Sequence, residues 1–166
     1  MSTKAVQDPP PVRAFYLASV GGGGPVNLVL LGRSNPSQGI IVELIRRNEV
    51  TVLSNSGVES HQLLFPENSS SSRVTITKVV LAPGAINPPH RHEASEQIWV
   101  ALSGAGTLLL DGQRTIPFEE GDVVRFADGD VHGFKNSGSV AFVYISVTSP
   151  PINFRRAYEQ SWSKDA

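Results

Sequence analysis

Four histidines occur in the chain, and two of them stand one residue apart in PPHRHEASEQIWV, residues 88–100. Alternate side chains of an extended strand share a face, so His90 and His92 project together if PHRHE is extended. Pro88 and Pro89 favour that conformation. Two neutral imidazoles on one face can chelate one metal ion; the plain alternative is two unrelated polar residues on a loop. The chain has no cysteine, which excludes disulfides, thiolate chemistry and any zinc site built on sulfur. No Ser–His–Asp arrangement is legible. No pair of carboxylates suggests glycoside chemistry either, and Glu119-Glu120 reads as a charged turn. The run Gly21 to Gly24 lacks the Lys-Ser/Thr and the helix-opening spacing of a phosphate loop, and it reads as a linker.

The segments that must carry these residues read as β. Nine short runs, each bounded by Gly, Pro, Asn, Asp or Ser, have the period of strands: 50–54, 60–65, 73–81, 97–103, 106–111, 113–118, 122–127, 131–136 and 140–148. That many short strands at close spacing predict a sandwich or barrel. DGQ (111–113) and SGS (137–139) read as tight turns, and the serine-rich 66–73 as a polar loop. Upstream, NLVLL (27–31) is a short apolar run. Residues 37–48 have the spacing of an amphipathic helix, although IIVELI could also be a strand. Residues 1–24 read as a weakly ordered arm. After Pro150 and Pro151, residues 153–162 predict a short helix with Phe154, Ala157, Tyr158 and Trp162 along one side. The division expected is an N-terminal arm (1–48) used in dimerisation, a β domain (49–150) and a helical tail (151–166).

Two stretches resemble the motifs of the cupin superfamily. The first motif runs Gly, five residues, His-x-His, three or four residues, Glu, six residues, Gly; Gly84, His90, His92 and Gly104 fit it. The second runs Gly, five residues, Pro-x-Gly, two residues, His, three residues, Asn; Gly121, Gly129, His132 and Asn136 fit it, with Ala127 where the motif has proline. The resemblance implies an all-β jelly-roll barrel with an N-terminal extension and a short C-terminal helix. It also implies one divalent transition metal held by His90, His92 and His132. The carboxylate position departs from the pattern. Counting back from Gly104 gives Gln97, while counting forward from His92 gives Glu96, and neighbours on one strand cannot both point inward. The spacing to Gly104 favours Gln97 as the fourth ligand and keeps Glu96 as the alternative.

Ligand softness leaves Fe, Ni, Mn or Zn open. By strand parity Trp99 shares a face with Gln97 and Phe134 with His132; Tyr144 could join them in a substrate pocket. Since the three histidines are claimed as ligands, an acid or base must come from Tyr144, Glu96 or His61. Arg125 and Lys78 could neutralise an acidic substrate, although an outer face suits both better. The resemblance implies a metal-dependent enzyme on a small acidic, aromatic or sugar-derived molecule, either a dioxygenase or a non-redox lyase, isomerase or decarboxylase. A non-catalytic binding or sensing protein is the alternative. It also implies a homodimer, with residues 25–55 lending strands to a partner's sheet. With 14 basic and 15 acidic residues the charge balance gives no footing for nucleic acid. No segment is apolar enough to span a bilayer, and the first residues lack a signal-like run, so the expected location is the cytoplasm.

Overall fold

The computed structural model describes residues 27–31, 40–160 and 162. The arm expected at 1–24 lies outside them. Two units emerge, residues 1–44 and 45–166. In the first, β1 (Asn27–Leu31) and β2 (Ile40–Leu44) pair antiparallel as a two-stranded sheet. Within the helix expected over 37–48, the described residues, from Ile40 on, form a strand followed by a single 3-10 turn, Arg47–Glu49. The β-branched run Ile40, Ile41 and Val42 suits a pleated ladder, and pairing with Asn27–Leu31 decides the ambiguity that periodicity left.

The second unit is two antiparallel sheets packed face to face. Its strands are β3 (Thr51–Asn55), β4 (Val58–Leu64), β5 (Thr75–Leu81), β6 (Ile86–His90), β7 (Glu96–Ser103), β8 (Ala105–Leu110), β9 (Thr115–Glu119), β10 (Val123–Phe126), β11 (His132–Lys135) and β12 (Phe142–Ser149). The larger sheet has the order β10-β7-β12-β5-β4-β3, the smaller β6-β11-β8-β9. All nine strands read from the sequence are present within a few residues. The tenth, β6, carries INPPH. Proline is confined to edge strands because it has no N–H to give a ladder, and β6 is an edge of the smaller sheet.

Burial alternates along the strands as period two demands: β5 and β12 bury every second residue. Between the sheets lies an aromatic seam. Phe134 stacks on Phe142 with ring centroids 4.1 Å apart, and Phe118 packs on both. The four motif glycines Gly84, Gly104, Gly121 and Gly129 all sit at φ between 76° and 91°, which side chains rarely adopt, so the motif spacing records the turns between strands. Ala127, where the motif has proline, donates its backbone N–H to the Asp130 carboxylate at 2.8 Å, a bond proline could not make. Asn136 is fully buried; its amide donates to the carbonyls of Leu81 and Val140 and so staples loops rather than lining a site.

After β12 the chain runs to a short helix, α1 (Arg155–Glu159), shorter than the 153–162 expected. Side chains tie this tail to the β domain. Arg155 pairs with Glu67 at 2.6 Å, Thr75 bonds the backbone of Ile152, and Asn55 donates to the carbonyl of Tyr158. Glu67 lies in the polar loop 66–73, which thereby serves as an anchor.

Candidate metal centre

His90 closes β6 and His132 opens β11, and the two are directly paired across the ladder. Between His132 and Phe134 the register shifts by one residue: Pro88 and Pro89 bulge opposite Gly133. A Cβ on Gly133 would lie 2.8 Å from the carbonyl oxygen of Asn87 and from the nitrogen of Pro89. Gly133 thus permits the close backbone approach that brings the two imidazoles together. His92 follows just beyond the strand, and its ring meets Phe154 at 5.7 Å. Three ring centroids lie 4.6 to 5.3 Å apart, and one nitrogen from each ring falls within 4.8 Å of the others.

Protonation follows from the partners. Nδ1 of His90 faces the carbonyl of Pro88 at 2.8 Å, and Nδ1 of His132 faces that of Asp130 at 2.8 Å. A carbonyl only accepts, so in the neutral ring Nδ1 bears the proton and Nε2 presents a lone pair. Nε2 of His92 is buried and has no hydrogen-bond partner. Burial lowers the pKa of His90 and takes those of His92 and His132 down to about 4 and about 3, with the neighbouring His90 as the second cause for both. At neutral pH these rings carry no charge and can act as donors to a metal.

Gln97 lies beside the three histidines. It is inward on β7, 4% exposed, and its amide orientation is fixed. The indole N–H of Trp99 can only donate, so the Gln97 atom it meets at 2.8 Å is the oxygen; the amide nitrogen donates to Thr148 at 2.9 Å. That oxygen stands 2.9 Å from Nε2 of His132. A neutral imidazole has one N–H, yet His132 faces an acceptor on each side. Protonating the ring would relieve both contacts, but burial opposes it. A cation bound to Nε2 and to the amide oxygen relieves them as well. The donor set of three imidazoles and an amide oxygen, with one nitrogen left unpartnered, fits a divalent transition metal. Phe126 stacks on His132 at 4.2 Å and 11°, holding the ring in plane.

Glu96 points outward and pairs with Arg125 at 2.7 Å. His61 lies on the outer face of β4, 3.4 Å from Glu59, and does not reach the site. Lys78 is likewise outward on β5. Phe134 belongs to the aromatic seam, because Gly106 and Phe142 enclose its ring, and it does not line the cavity. Trp99 and Tyr144 do. The cavity over the histidines has a volume of about 430 Å³. One side is the inner face of the larger sheet, and the other is the C-terminal tail, through Phe154, Ala157, Tyr158 and Trp162. Those four are the residues whose helical spacing marked an apolar side. Their role as a cavity wall could not be read from that spacing. Asn87 was missed as well: its amide donates to the Tyr144 hydroxyl at 3.3 Å. Burial raises Tyr144 well above the usual phenol range and Tyr158 to about 12, so both hydroxyls keep their protons at neutral pH.

Known proteins agree with this architecture. Residues 77–148 match the family model described as Cupin domain. An oxalate-binding protein of Thermotoga maritima is 28% identical over 90 residues, covering 54% of this chain and 74% of that one. A solved structure from the same organism, described as a predicted oxalate decarboxylase, superposes with a TM-score of 0.56 at 24% identity, over 64% of this chain and 98% of that one. The polyketide cyclase RemF from Streptomyces resistomycificus gives 0.56 at 23% identity, over 65% and 79%. The paired sheets, the glycine turns and the family match together make residues 77–148 a cupin domain.

Proposed function

We propose that this chain is a metal-dependent cupin acting on a small organic acid, with the metal held by His90, His92 and His132 and by Gln97 as fourth ligand. The observation that carries the reading is the convergence of three neutral imidazoles, one with a buried, unpartnered Nε2. Three imidazoles and a neutral amide leave the ion's 2+ charge uncompensated, and such a centre supplies Lewis acidity and open coordination positions for an anionic ligand. Trp99 orients Gln97, and the carbonyls of Pro88 and Asp130 orient two of the rings. Tyr144, kept protonated, can donate a hydrogen bond to a bound oxygen but cannot act as a base at neutral pH. Likeness to an oxalate-binding protein supports a carboxylate ligand.

The test is elemental analysis of tag-free protein beside His90→Ala, followed by turnover of oxalate and other small acids under air and under argon. About one transition metal per chain, lost in the variant, is expected; turnover needing air would indicate an oxygenase, and turnover under argon a lyase, isomerase or decarboxylase. Protein that takes up no metal after repletion overturns the reading. A second reading, a binding or sensing cupin without turnover, is favoured by one feature: no Asp or Glu lines the cavity among the described residues, so no carboxylate is at hand as a base. Metal retention with tight binding and no turnover would select it. The reading includes a homodimer. The segment to lend is 25–55, within which Asn27–Leu31 and Ile40–Leu44 pair with each other and Thr51–Asn55 pair with β4 of their own chain. Sedimentation of the whole chain checks it, with twice the monomer mass expected.

A further inference from the structure

The inner face of the larger sheet changes character along its strands. Away from the histidines it is apolar, with Val58, Leu81, Ala101 and Phe142. Toward them it turns polar while staying buried: Ser60, Gln62, Thr75, Thr77, Ser146 and Thr148. Ser60, Thr77 and Ser146 line the cavity, and Ser146 is paired with Thr77 in the ladder between β12 and β5. Ser146 is 3% exposed and its hydroxyl has no partner. Burying a hydroxyl without a hydrogen bond costs free energy that alanine at the same place would not. A strand needs only an inward side chain of this size, so the packing does not account for the oxygen. Among the described residues, the cationic side chains on the cavity wall are Arg91, which pairs with Glu93 at 2.6 Å, and Arg156.

We propose that this hydroxyl wall binds the hydroxyl groups of the ligand, so that the cavity takes a hydroxylated small carboxylate rather than a bare diacid. The proposal rests on reading the histidines as a metal centre. The carboxylate end lies toward that centre and Arg156. The hydroxyl-bearing carbons lie against Thr77 and Ser146, whose hydroxyls can each donate and accept; Ser60, beside them, already accepts from the Gln62 amide at 2.8 Å. A volume of about 430 Å³ leaves room for carbons beyond those of oxalate.

Tartrate and succinate share a four-carbon diacid skeleton and differ by two hydroxyls, which makes them the probes. The full-length, metal-loaded protein is titrated calorimetrically with each, beside Ser146→Ala and Thr77→Val, with metal content and melting temperature read on every sample. Expected is roughly tenfold tighter binding of tartrate than of succinate, corresponding to about one net hydrogen bond. In the variants that preference shrinks, while metal content and succinate affinity hold and the melting temperature stays level or rises. Equal affinities in the native protein, or a preference that survives Ser146→Ala, overturn the hydroxyl wall and leave the metal centre standing. Variants that melt lower and lose both ligands mark the hydroxyls as structural and overturn it too. A native protein without metal that binds neither acid overturns both readings.

Discussion

At the scale of single residues, the chemistry turns on which atoms have nothing else to do. His132 sits between two acceptors with one proton to give, and His92 has no partner at Nε2. Glu96, by contrast, is engaged by Arg125 at the surface. Gln97→Ala should therefore weaken metal retention, measured by competition with a chromophoric chelator, by one to two orders of magnitude, whereas Glu96→Ala should leave it unchanged. The reverse pattern would return the ligand role to Glu96. The histidines also set an acid limit. His92 and His132 have folded pKa values of about 4 and about 3, below the ordinary 6.5. Between those values and 6.5 the unfolded chain binds more protons than the folded one. Their contribution to stability is therefore complete above 6.5 and lost as the pH falls toward 4 and 3. Urea midpoints of metal-stripped protein should hold level above pH 7 and decline below 6.5, and His92→Gln should shallow the decline. A midpoint indifferent to pH across that window would contradict the burial argument.

At the scale of elements, β6 and β11 do the positioning. Their close approach depends on a glycine facing a pair of prolines, at a register shift in an edge strand. Gly133→Ala forces a methyl group against the backbone of Asn87 and Pro89. Overpacking of this kind costs about 1–3 kcal/mol, and here it also parts His90 from His132. The expected outcome is a lower melting temperature together with weaker metal binding. An alanine variant that melted lower but kept its full metal affinity would show that the strand spacing does not set the site. The tail is a different kind of element. Its short helix buries none of its residues fully and is tied over the cavity through Glu67, Thr75 and Asn55. An exposed pair such as Arg155–Glu67 contributes little to global stability, so its consequence is where it holds the tail.

At the scale of the whole molecule, two sheets share one interior with two uses. The aromatic seam of Phe118, Phe134 and Phe142 fills one end, and the polar inner residues with the histidines open the other. A metal bound only by the folded state adds to its stability by mass action, about 2.7 kcal/mol at a hundred times the dissociation constant. Stripping the protein with a chelator should lower its melting temperature, and returning the metal should restore it; His90→Ala should melt at one temperature with or without the chelator. A native protein whose melting ignores both treatments would count against a bound metal.

The sequence by itself determined the β class, nine of the strands, the turns marked by glycine and the histidines that meet. The strands, the turns and the pairing of His90 with His92 depend on period or spacing along the chain, which local sterics translate directly into geometry; that His132 joins them is what the resemblance to the cupin motifs implied. The sequence also placed Gln97 and Trp99 on one face by parity, and its spacing favoured Gln97 while keeping Glu96 as the alternative. Only the tertiary structure decided the rest. Phe134 shares a strand with His132 yet belongs to the seam, because Gly106 and Phe142 receive its ring. INPPH is a strand because it lies at an edge, which a count of prolines cannot reveal. IIVEL is a strand because Asn27–Leu31 pairs with it. Ser60, Thr77, Asn87 and Tyr158 reach one cavity from four distant parts of the chain, and no period connects them. Local pattern fixes which way a side chain points; what it then meets is set by the packing of chain segments far apart in sequence.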